Sequence, residues 1–126
     1  MKGRWFIRIW ADGEYFDLWH VNHLLAGILC AGAVIFFQMN LWVGLLFSII
    51  TMLGWEVYEV FKRIGETPFN KVMDVVFGIA GFFILYSTSG LMDRTYFLSL
   101  SLVSLVGWVA LELWGLFAWR NGASEL

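Results

Sequence analysis

Four apolar runs constrain this chain more than anything else in it. They cover about Leu18 to Gln38, Leu41 to Phe61, Val72 to Met92 and Tyr96 to Trp119. A helix needs roughly 20 residues to cross about 30 Å of hydrocarbon, and each run is that long. The whole chain has 126 residues, 60% of them hydrophobic and 14% charged, with a mean hydropathy of +0.75. A water-soluble domain of this size cannot cover so much apolar surface. The sequence therefore predicts an all-α integral membrane protein, a single domain over residues 1–126. The connections are short: Met39 and Asn40, then Arg63 to Lys71 with Gly65 and Pro68 as breakers, then Asp93 and Arg94. Short connections predict an up-down-up-down four-helix bundle with sequential helices as antiparallel neighbours.

Residues 1–17 read differently. Arg4, Arg8, Asp12, Glu14 and Asp17 leave no apolar core of signal-peptide length. Within Met1 to Trp10, Trp5, Ile7 and Ile9 alternate with Arg4, Phe6, Arg8 and Trp10, which predicts an interfacial segment, either a short strand or a helix lying flat. Basic residues also set the orientation. With the N-terminus cytoplasmic, Lys2, Arg4, Arg8, Lys62, Arg63, Lys71 and Arg120 all fall inside and Arg94 outside, as the positive-inside rule requires. Trp19, Trp42 and Trp119 fall near predicted span ends, where an aromatic belt sits. The expected location is the bacterial inner (plasma) membrane, with both termini cytoplasmic and the lipid bilayer as first partner.

Ionisable residues inside the spans are costly, at least about 2.5–3.5 kcal/mol each on insertion scales. This chain carries Glu56, Glu59, Asp74 and Glu112 in its apolar runs, with His20 and His23 at the mouth of the first. The orientation gathers all six in the cytoplasmic leaflet, from four different helices. At about 1.5 Å per residue, Glu56 and Glu112 lie roughly 8–10 Å below that face. His20 and His23 are three apart, as are Glu56 and Glu59, so each pair shares a helix face. Asn70 and Asp74, four apart, do the same. Gly78 and Gly81 follow on that side and suit close helix contact, and Gly54, Gly107 and Gly115 are candidates for the same role.

Two histidines and four carboxylates on a four-helix bundle match the ligand inventory of di-iron and di-manganese carboxylate sites, and the same donors suit zinc. The distribution differs from the usual Glu-x-x-His pairs, being His-x-x-His and Glu-x-x-Glu. Structural explanations stand beside this one. The histidines suit headgroup depth, Glu59 has Lys62 and Arg63 at helical spacing, and Asp74 has Lys71. Glu56 and Glu112 have no basic residue three or four positions away and need a proton, an interhelical hydrogen bond or a ligand. Trp55, Tyr58, Trp108 and Trp114 are nearby donors.

Other chemistry is missing from the sequence. It has no basic stripe for nucleic acid, no glycine-rich phosphate loop and no elbow-type serine. The lone Cys30 excludes an internal disulfide. Ser99, Ser101 and Ser104 read as packing hydroxyls.

The stretch Gly54-Trp55-Glu56-Val57-Tyr58-Glu59, followed after a basic turn by Asn70-Lys71-Val72-Met73-Asp74-Val75-Val76-Phe77-Gly78, resembles small polytopic bacterial membrane proteins of the VanZ-like and YjdF-like type. The resemblance implies a cell-envelope role at lipid or lipid-linked substrates. It does not extend to the histidine pair or to Glu112.

The functional expectation is a polar site in the cytoplasmic leaflet, built from His20, His23, Glu56, Glu59, Asp74 and Glu112. It would bind iron, manganese or zinc, or a lipid headgroup. The alternatives are a non-catalytic subunit of a larger membrane complex and a proton or ion relay formed by a homo-oligomer. No reaction is assigned.

Overall fold

The computed structural model describes Trp10, residues 17–62 and residues 67–121. The expected interfacial segment lies outside the described residues except for Trp10 and Asp17. So do Lys2, Arg4, Arg8, Arg63 and Gly65. Among the described residues the protein is all-helical: α1 (Leu18–Phe36), α2 (Leu41–Lys62), α3 (Pro68–Thr88) and α4 (Arg94–Arg120), with a 3-10 turn at Ser89–Leu91. All four helices are long and apolar enough to cross a membrane. At about 1.5 Å per residue they measure roughly 28 to 40 Å.

The helix ends follow from local chemistry. Asp17 caps α1 by accepting from Trp19 N at 2.9 Å, and the His20 ring reaches back to the Asp17 amide in a reciprocal capping box. At its other end α1 stops two residues sooner than the apolar run predicts. Gln38 adopts a left-handed φ of 52°. The amides of Gln38 and Met39 then turn back to the carbonyls of Ile35 and Val34, at 3.2 and 2.8 Å. This is a Schellman closure made without glycine. Asn40 begins α2 by accepting from Trp42 N at 2.9 Å.

The third helix starts four residues before Val72. Thr67 accepts from Asn70 N at 3.2 Å, and Pro68 occupies the first turn, where it loses no hydrogen bond. Asn70 and Lys71 are thereby helical rather than part of a loop. Asp93 caps α4 through Tyr96 N at 2.8 Å.

The directions alternate as the short connections require. Contacts of His20 and His23 with Asp74 near the start, and of Gly32 with Leu85 farther along, run in the same sense, so α1 and α3 are parallel. Asn22 meets Glu112 and Gly32 meets Ser101, so α4 runs antiparallel to α1. The packing order differs from a ring of sequential neighbours. The most extensive interface joins α1 to α3, α2 lies against both, and α4 packs chiefly on α1.

Glycines explain the dominance of the α1–α3 pair. A Cβ on Gly27 would collide with the Gly78 carbonyl, and one on Gly81 with the Leu24 carbonyl. The two backbones therefore touch directly, which small residues allow and larger ones forbid. Gly107 lies in ordinary contact range of Leu25, and Gly115 accommodates the rings of Trp19 and Trp10. Gly54, expected to act likewise, faces open space.

Beyond this crossing the core is Cys30, Ala31, Val34, Met52, Phe82 and Leu85. Trp10 packs edge-on to Trp19 and Trp114 at the end where α1 begins. Outward positions on α2 and α4 are overwhelmingly apolar and exposed, among them Phe61, Val103, Val106 and Leu113.

Candidate functional site

The close α1–α3 crossing places the first turns of both helices side by side, and the end of antiparallel α2 meets them. One end of the bundle thus collects Asp17, His20 and His23 from α1 and its cap, Glu56 from α2, and Asn70, Lys71 and Asp74 from α3. His20, Asn70 and Asp74 are fully buried, and Glu56 is 8% exposed.

Each carboxylate and imidazole sits within a few ångströms of the next. Asp17 Oδ1 is 3.0 Å from His20 Nδ1. His20 Nδ1 is 3.9 Å from Asp74 Oδ1, which lies 3.3 Å from His23 Nδ1. His23 Nε2 is 3.8 Å from Glu56 Oε1, and Lys71 Nζ is 4.0 Å from Glu56 Oε2. Asn70 Nδ2 donates to Asp17 Oδ2 at 3.2 Å, tying the α1 cap to α3.

Two details define what the cluster can do. His23 Nδ1 lies 2.9 Å from the Trp19 carbonyl oxygen. A carbonyl only accepts, so Nδ1 carries the proton and donates. In the neutral ring this leaves the Nε2 lone pair directed at Glu56. Neither oxygen of the Glu56 carboxylate receives a hydrogen bond. Two acceptors therefore face each other in a buried space, a gap suited to a cation or a shared proton. His23, Glu56 and Asp74 offer ligand atoms within 4.8 Å of one another, and so do Asp17, His20 and Asp74. The second triad is already engaged in capping α1, because Asp17 accepts from Trp19 N and Asn70 and its amide reaches the His20 ring.

The six residues expected to form the site divide accordingly. His20, His23, Glu56 and Asp74 come together. Glu59 is buried on α2 and accepts from Trp55 Nε1 at 2.6 Å. Its expected partners, the Lys62 side chain and Arg63, lie outside the described residues. Lys71, expected beside Asp74, reaches Glu56 on the neighbouring helix. Glu112 accepts from Asn22 Nδ2 at 2.5 Å on a different face of α1.

Sequence reasoning missed Asp17 and Asn22 as members of this polar end. Asp17 was findable, since Asp-x-x-His before an apolar run has capping-box spacing. Asn22 has no such signal; its partner is 90 positions away. No protein-family model, curated protein or solved structure matches the chain.

Proposed function

We propose that this chain is an integral membrane protein whose cluster of His23, Glu56 and Asp74 binds one divalent transition-metal ion, held chiefly between His23 Nε2 and Glu56. The observation that carries the reading is the buried Glu56 carboxylate, which receives no hydrogen bond and faces the His23 lone pair. One imidazole and two carboxylates suit zinc, iron or manganese. Three protein ligands leave a coordination position open, as in sites where the ion acts as a Lewis acid. The surrounding groups have supporting roles. The Trp19 carbonyl fixes the His23 tautomer, as carbonyls do behind metal-ligating histidines. His20, itself held by Asp17, lies 3.9 Å from the Asp74 carboxylate. Lys71 offsets part of the negative charge at Glu56.

Membrane insertion is supported by four helices of spanning length and by their exposed apolar faces. On the orientation argued from basic residues, the cluster sits in the cytoplasmic leaflet, and the resemblance of Gly54–Glu59 and Asn70–Gly78 to VanZ-like and YjdF-like proteins implies a cell-envelope setting.

Elemental analysis of protein purified in mild detergent tests the reading. One ion per chain is expected in the wild type and almost none in Glu56→Gln, with the helical circular dichroism unchanged. Metal-free wild-type protein that takes up neither zinc, manganese nor ferrous ion would remove the proposal.

A second reading has its own observation. His23 lies between two carboxylates, with Nδ1 toward Asp74 and Nε2 toward Glu56, which is an arrangement able to pass a proton. Acidification of proteoliposomes under an imposed potential, abolished by His23→Ala, is the expected result for a relay. Flux equal to that of empty vesicles excludes it.

A further inference from the structure

A mainly apolar pocket with a few polar groups lies on another face of α1, in the cleft between α2 and α4. It has a volume of about 70 Å³ and is lined by Asn22, His23 and Ala26 of α1, Thr51, Met52 and Trp55 of α2, and Trp108 and Glu112 of α4. The helices α2 and α4 share no extensive contact, so the cleft opens sideways, toward what is lipid in the proposed membrane setting. Its walls are mainly apolar and its floor is polar.

The polar groups of that cleft include one carboxylate and no lysine or arginine. Three donors of the lining are already committed. Thr51 Oγ1 donates to the Phe47 carbonyl, Trp55 Nε1 to Glu59, and His23 Nδ1 to the Trp19 carbonyl. One N–H of the Asn22 amide is spent on Glu112 at 2.5 Å. What remains is the second Asn22 N–H and the Trp108 indole N–H as donors, with Asn22 Oδ1 and Glu112 as acceptors, of which Glu112 alone can carry a negative charge. Asn22 is 3% exposed and its Oδ1 receives no hydrogen bond. Glu112 has a neutral amide beside it, and no basic residue lies within four positions on its helix. A buried acceptor without a donor is costly, and a carboxylate in apolar surroundings more so. The indoles of Trp55 and Trp108 in the wall are of the type whose faces attract cations.

We infer that this cleft binds the ammonium head of an amphiphilic amine entering from the bilayer side, with Glu112 as its counter-ion and Asn22 Oδ1 as a hydrogen-bond acceptor. The volume accommodates an ammonium group and its first carbons, so an alkyl chain must leave through the opening between α2 and α4. The inference rests on the membrane reading; its two polar partners, Glu112 and Asn22, are not among the proposed metal ligands, although His23 borders both sites.

Native mass spectrometry of the full chain released from non-ionic detergent tests it, with dodecylamine, dodecanol and butylamine as probes. Dodecylamine is expected to bind one per chain, at least tenfold tighter than dodecanol or butylamine. Glu112→Gln should lose that preference for the amine over the alcohol. Ala26→Leu should weaken the amine at least tenfold by filling the pocket while sparing the Asn22–Glu112 pair. Equal binding of amine and alcohol to the wild type would mean that Glu112 is a protonated acid satisfied by Asn22, and would overturn the inference. Butylamine binding as tightly as dodecylamine would overturn its amphiphilic part. Unaltered amine binding in both variants would place the amine elsewhere. The measurements are made on chelator-treated protein, because His23 borders both this cleft and the proposed metal site.

Discussion

Replacing Gly27 with alanine adds a single methyl group where α1 and α3 touch. That methyl would collide with the Gly78 carbonyl and lie 2.9 Å from Phe82 N. Ordinary contact needs about 3.5 Å or more. Both obstacles are backbone, so no side chain can rotate away, and the helices must separate by on the order of 1 Å. Overpacking of this kind costs about 1–3 kcal/mol, and a backbone clash belongs at the upper end of that range. Alanine returns up to about 1 kcal/mol of helix propensity, leaving a net loss of about 2 kcal/mol. Gly54→Ala is the matched control. Nothing lies within 4 Å of its added methyl, so only the propensity gain of about 1 kcal/mol remains. The two variants should therefore differ by about 3 kcal/mol in reversible unfolding by SDS in mixed micelles. Gly27 lies one helical turn from His23, and Gly78 one turn from Asp74. Separation there should also lengthen the 3.3 Å approach of His23 to Asp74 and weaken any ion bound between them. Equal stability of the two variants would refute the close crossing as the element that assembles the site.

Three further outcomes follow from the helix ends. Gln38→Gly should stabilise the protein by about 1 kcal/mol by relieving a left-handed residue, whereas Gln38→Ala should not; denaturation midpoints decide between them. Asp17→Ala should cost about 2 kcal/mol or more, because it removes the α1 cap and strands the Asn70 amide. Asp17→Asn, which keeps an acceptor for Trp19 N, should cost clearly less in the same assay. Thr67→Ala should cost about 1 kcal/mol at the start of α3, seen as faster amide exchange at Asn70, whose N–H loses its acceptor.

How much of this was readable in advance differed by feature. The existence and length of all four helices followed from apolar run length, a signal that survives any packing. Their ends did not, because caps override hydropathy. Thr67 with Pro68 draws α3 back over Asn70 and Lys71, and Gln38 closes α1 two residues inside the predicted run. Antiparallel alternation followed from short connections, but the dominance of the α1–α3 pair did not. It depends on Gly27, Gly78 and Gly81 meeting across two helices, and periodicity within one helix says nothing about its partner. The gathering of His20, His23, Glu56 and Asp74 at one end was legible from depth along the helices. Their separation from Glu112 was not, since depth is blind to which face of α1 each residue meets. Asn22 escaped notice as a partner because a buried amide carries no charge to flag it.

The central claim concerns what lies between Glu56 and His23. X-ray absorption at the zinc edge, on wild-type protein loaded with one equivalent of zinc and on Glu56→Gln treated identically, addresses it most directly. The expected wild-type spectrum has one nitrogen and two or more oxygen ligands at about 2.0–2.2 Å, with the outer-shell scattering of a single imidazole. Glu56→Gln should lose bound zinc or show one protein oxygen fewer. A wild-type spectrum of hydrated zinc without imidazole, or one unchanged by Glu56→Gln, would contradict a metal centre at this site.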